Sequence, residues 1–141
     1  WAREFGLAQQ AIQAGDFAAA RARYEQGLSL LDDSWRDLSA EQRAQRQADS
    51  AVVAALVDAH YNLACVFALA SAGRDRPQAA AREVPVGVAA RSRDAAFAHL
   101  VEAVRSGWTD LDHLMADTDL LPLHADERWD ALVAGLNVPK K

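Results

Sequence analysis

Two stretches, His60-Tyr-Asn-Leu-Ala-Cys-Val-Phe-Ala-Leu-Ala70 and Ala96-Phe-Ala-His-Leu-Val-Glu-Ala-Val104, constrain this chain more than any others. In the first, Leu63, Ala64, Phe67 and Ala70 recur at helical spacing and give one broad apolar face. In the second, small Ala96 and Ala103 flank Leu100. Small residues let two helix axes approach closely, and large ones fill the grooves beside them. The pair predicts two antiparallel helices forming one unit of a helical repeat.

The start of the chain carries a second such pair. Phe5, Leu7, Ala8, Ala11 and Ile12 line one side of a helix over 2–14. Ala14-Gly15-Asp16 ends it, since glycine accepts the left-handed conformation that closes a helix and aspartate caps the next. Phe17, Ala20, Tyr24, Leu28 and Leu31 then share a face of a helix from Phe17 to Leu31. So short a turn permits only an antiparallel hairpin.

Between the pairs, Ser39 and Gln42 form a capping box, and neither proline nor glycine interrupts Ala40 to Ala72. The simplest expectation is one helix of about 50 Å, with Ser50 the place where it would break. Gly73, Pro77, Pro85 and Gly87 mark an inserted surface connection over about 74–93, the next helix starting near Val86. From Trp108 onward the pattern is a short helix capped by Thr109, a turn at Pro122 and a last helix capped by Asp126. The whole predicts an all-α fold of five to seven helices.

A chain of 141 residues suits one domain with a real core. The net charge of −5 argues against a nucleic-acid or anionic-membrane surface, which needs a clustered basic patch. Cys65 is the only cysteine, which excludes a disulfide framework and fits a reducing, cytoplasmic setting. No apolar run is expected to reach the length of a membrane span. The start at Trp1, with Met115 the one methionine, suggests a piece of a larger protein.

Leu7-Ala8, Ala11, Gly15-Asp16-Phe17, Ala20, Tyr24 and Leu28, with small Gly27, resemble the tetratricopeptide repeat pattern in register. Glu4 stands where that pattern has an aromatic, Ala11 where it has tyrosine and Asp32 where it has proline. Leu63-Ala64, Phe67, Ala96, Leu100 and Ala103 carry a second unit, with His60 replacing the aromatic. The distance from Leu7 to Leu63 exceeds the family period of about 34 residues by about 22. The closing stretch is similar to the terminal caps of many bacterial tetratricopeptide proteins. The resemblance implies one domain that is a right-handed solenoid of two irregular repeats plus a cap. Its parts are 1–31 (repeat 1), 32–58 (linker and helix extension), 59–107 (repeat 2 with the insert) and 108–136 (cap).

No chemistry-bearing constellation stands out. His60, His99, His113 and His124 lack metal-ligand spacing, and Cys65 and His60, five apart on one helix, are not stacked neighbours. Asp110, Asp112, Asp117 and Asp119 together hint at calcium, but the first of them suit helix starts and turns, and the loop glycine of an EF-hand is missing. Gly-rich phosphate loops and nucleophile elbows are absent, so neither catalysis nor a cofactor is expected. Trp108 and Trp129 are expected to seal the cap, with an aromatic binding surface the alternative.

The resemblance implies binding along a concave groove lined by the first helix of each unit. Carried over, the groove positions are Phe5, Gln9, Gln13, Asp58, Tyr61, Asn62, Cys65 and Leu69. Asn62 falls where peptide-holding members keep an asparagine, though a water-facing helix position explains it equally. None of the eight is basic, which disfavours the acidic chaperone tail as partner. The expected role is a non-catalytic module that holds a peptide segment or a neighbouring domain and so regulates or recruits an attached signalling or effector domain. A neutral or mildly basic apolar segment and a modest salt dependence follow from these positions. Self-assembly, and a part of an enzyme whose site is completed elsewhere, are the alternatives.

Overall fold

Gly15 takes φ +73, and Asp16 accepts a hydrogen bond from the Ala19 amide at 3.0 Å, so one helix ends and the next begins within three residues. The computed structural model describes residues 1–75 and 82–137. The described residues form helices α1 (Ala2–Gln13), α2 (Phe17–Trp35), α3 (Ala40–Gln47), α4 (Ser50–Ser71), α5 (Val86–Arg105), α6 (Leu111–Ala116) and α7 (Glu127–Leu136), with a 3-10 helix, η1 (Thr118–Leu123), before the last. Among them there is no strand.

The first hairpin packs as its pattern predicts. Ala8 and Ala20 are fully buried, and Tyr24 meets the Phe5 ring at 5.8 Å. Gly27 sits against Phe5 so closely that any Cβ there would strike the ring. Glu4, in the place of an aromatic, is buried to 9% exposure and accepts from Arg23 at 2.9 Å. α2 runs to Trp35, past the expected end at Leu31, because no proline stops it where Asp32 stands.

The expected continuous helix from Ala40 to Ala72 is two helices. Asp49 takes an extended conformation and accepts from the Ala51 amide at 2.9 Å, and so caps α4 afresh. Ser39 and Gln42 form the capping box of α3, which buries no residue at all. α5 begins at Val86 directly after Pro85, as expected; residues 76–81 of the inserted stretch lie outside the described residues.

α4 is the hub. It packs against α5 most extensively, then η1 and α2, and touches α1 and α3. The α4–α5 pair is antiparallel: Val52 and Leu56 adjoin Arg105 and Ser106, while His60 meets His99. With neighbours on most sides, Tyr61, Leu63 through Leu69 and Ser71 are all buried, where a single apolar face was expected. Ala96 and Ala103 are fully covered at the α5 contact. By length and composition α4 could also cross a membrane, with 22 residues and a mean hydropathy of 1.7. That corrects the expectation that no run approaches such a length. A helix packed this widely needs an almost wholly apolar sequence, and Asp58 is its one acidic residue.

The end of the chain folds back over the hub. Leu114, Leu120, Leu123 and Trp129 are buried, and Trp129 stacks on His124 at 4.2 Å. Asp110 and not Thr109 caps α6, accepting from the His113 amide at 2.9 Å. Asp126 caps α7 as expected.

Candidate functional site

α1, α4 and the segment from Trp108 to Asp119 enclose two adjoining clefts that share Asp58. The first, about 360 Å³, is lined by Ile12 and Phe17, by Asp58, Tyr61, Asn62, Cys65 and Val66 of α4, and by Trp108, Asp110, His113, Asp117 and Asp119. The second, about 380 Å³, is lined by Trp1, Phe5, Gln9, Tyr24, Ala51, Ala55 and Asp58, among others. Six of the eight carried-over groove positions therefore line one cleft or both. Gln13 is exposed and lines neither, and Leu69 is buried in the core.

The wall of the first cleft is aromatic. Tyr61 stacks on Trp108 at 4.7 Å with the rings 19° from parallel, and His113 approaches both. Trp108 is half-buried and lines the cleft, the alternative to its expected role in sealing the cap. Trp129 does serve the cap.

Asp117 ties this wall to α4. Its Oδ1 accepts from the Asp119 amide at 2.9 Å and caps η1, while its Oδ2 accepts from the Tyr61 hydroxyl at 2.8 Å. The Cys65 thiol donates to the same oxygen at 3.6 Å, and His113 Nε2 lies 3.8 Å away. Burial, then the hydrogen bond to Asp117, pushes the Tyr61 phenol up. Burial, then the charges of Asp117 and Asp119, pushes the Cys65 thiol well up. A thiol so placed is held protonated, the reverse of an activated nucleophile. Burial, then the Asp117 charge, also raises the Asp119 carboxyl.

Cys65, Asp117 and Asp119 bring one ligand atom each within 4.8 Å of one another. The acidic cluster was visible in the sequence, but the caps at Asp110 and Asp117 were not assigned from it. What sequence spacing concealed is that the fold carries these carboxylates across to α4, opposite Tyr61 and Asn62.

In the second cleft Tyr24 is 1% exposed, and its hydroxyl lies beside the Asn62 side chain without a well-formed hydrogen bond. Burial pushes this phenol up to about 12, an effect the Asn62 side chain opposes and the charges of Asp58 and Cys65 reinforce. Away from both clefts, His60 and His99 pair Nδ1 to Nδ1 at 2.9 Å, and His99 stacks on Phe67.

No protein-family model, curated protein or solved structure matches this chain.

Proposed function

We propose that this chain is a non-catalytic interaction module. It holds a peptide segment, or a neighbouring domain of a longer protein, in the paired clefts along α1 and α4. The observation that carries the reading is the convergence of Phe5, Gln9, Asp58, Tyr61, Asn62 and Cys65 on two clefts joined at Asp58. Two adjoining clefts with aromatic walls suit an extended chain. Two helix hairpins and a folded-back end support a tetratricopeptide-like arrangement of two repeats and a cap. On that reading the module serves an attached signalling or effector domain in a bacterial cytoplasm, and nucleic acid and membranes are not its partners.

The test is a photo-crosslinking residue placed at Gln9, followed by affinity measurement on whatever segment it captures. Asn62→Ala and Gln9→Ala should each weaken binding about tenfold, close to 1.4 kcal/mol. Arg43→Ala, on α3, should not. Binding that survives both groove changes and fails on Arg43→Ala would move the site to α3.

Self-assembly draws on a different feature. Phe97, Val101 and Val104 of α5 and Leu132 and Leu136 of α7 line an almost wholly apolar groove of about 410 Å³. A concentration-dependent dimer in sedimentation, abolished by Val101→Glu, would favour it.

A further inference from the structure

The first cleft has an unbalanced charge. Asp58, Asp110, Asp117 and Asp119 all line it, and none of its lining residues is lysine or arginine. Among the described residues, the ion pair that reaches these four is His113 with Asp117, at 3.8 Å. Asp110 and Asp117 each commit an oxygen to capping, whereas the side chains of Asp58 and Asp119 make no hydrogen bond among the described residues. Asp119 is half-buried, and such a carboxylate without a counter-charge is costly; a cation entering beside it recovers that cost, with exposed Asp58 adding charge at the rim. The Tyr61–Trp108 stack adds a π surface to the same space, the other half of a cation site.

A second observation extends the ligand beyond a lone cation. In the adjoining cleft Trp1, Phe5, Ala51 and Ala55 form apolar walls, and the Tyr24 hydroxyl is sealed behind them with the Asn62 side chain beside it. Apolar walls of this kind suit a large apolar side chain. Asp58 and Tyr61 lie about one helical turn apart, about 5 Å along α4. Side chains two residues apart on an extended chain are spaced by about 6.6 Å.

We propose that the paired clefts take an extended segment bearing a lysine or arginine followed, one or two positions on, by a large apolar residue. The cationic head sits between Asp119, Asp58 and the Tyr61–Trp108 wall, and the apolar residue fills the cleft lined by Phe5 and Tyr24. The proposal rests on the interaction-module reading and names the chemistry of its ligand. It replaces the modest salt dependence expected from α4 and α1 alone, because the end of the chain contributes three further carboxylates.

The experiment is selection of a random peptide library displayed on phage against the immobilised chain, followed by fluorescence anisotropy with the enriched peptides. Enrichment of lysine or arginine beside an apolar residue is expected. Replacing that basic residue by norleucine should weaken binding tenfold or more. Asp119→Asn and Asp58→Asn should each weaken it about tenfold, and raising the salt should weaken it further. Circular dichroism melts establish that both variants fold. Enriched peptides without basic residues, still dependent on Asn62 and Gln9, would overturn the cation proposal and leave the module reading standing. No enrichment would overturn both. Binding of zinc or calcium alone, lost in Asp119→Asn and competing with the peptides, would make the cleft a metal site and overturn the proposal.

Discussion

His60 and His99 face each other across the α4–α5 contact with their Nδ1 atoms 2.9 Å apart, so one ring donates and the other accepts unless both are protonated. Burial lowers both; it takes His99 down to about 4, helped by the His60 charge and opposed by Glu25 and Glu102. Asp32 also opposes the shift at His60, while Arg21 reinforces the one at His99.

A depressed folded value means that the unfolded chain binds protons first. The stabilisation is complete above the unfolded value near 6.5 and is lost as pH falls toward 4. Between about pH 7.5 and 5.5 the loss from His99 should be roughly 1 kcal/mol. Urea midpoints across that window check it, and His99→Phe, which keeps the stack on Phe67, should flatten the profile. An unchanged slope in His99→Phe would assign the pH dependence to other groups.

Gly27→Ala should destabilise although alanine is the better helix former by about 1 kcal/mol. The added methyl meets the Phe5 ring, and overpacking of this kind costs roughly 1–3 kcal/mol. Phe5→Leu should relieve the clash, so the double variant should be more stable than the sum of the two single changes. Additive denaturation energies would show that α1 simply shifts to make room.

Capping distinguishes the two helices that sequence periodicity merges. Asp49→Ala should cost roughly 1 kcal/mol, since α4 carries the core. Ser39→Ala should barely move the global melting point, because α3 buries nothing and can fray alone. Amide exchange resolves the two: α3 amides exchange faster in Ser39→Ala, and α4 amides are unchanged.

The contrast shows why parts of this fold were legible and others not. Hairpin contacts rest on local spacing, so Ala20, Tyr24, Ala96 and Leu100 could be placed in the core from periodicity alone. The break at Asp49 rests on one side chain choosing a cap over a continuing helix, and aspartate is compatible with both. The cleft was half legible. Tyr61 and Asn62 follow from the register of α4, but their partners Trp108, Asp117 and Asp119 arrive from more than forty residues away. Such long-range placement leaves no mark on local spacing. Glu4 hid its role in the same way, since its partner Arg23 lies on the next helix.

Cys65 and Asp117 supply the last prediction. Buried among carboxylates, the thiol should react with an aromatic disulfide reagent tenfold or more slowly than in the unfolded chain at about pH 8. Two causes are separable here: restricted access and the suppressed thiolate. Asp117→Asn keeps an acceptor for Tyr61 and a capping side chain for η1, but removes the charge beside the sulfur. If suppressed ionisation governs the rate, Asp117→Asn should react several-fold faster with its melting point nearly unchanged. Asp117→Ala loses the cap and strands the Tyr61 hydroxyl, which should cost roughly 2–3 kcal/mol. It should therefore speed the reaction mainly by easing local opening. A rate in Asp117→Asn equal to that of the unaltered chain, with acceleration only in Asp117→Ala, would mean that opening of the η1–α4 contact controls the thiol and that its charge environment does not.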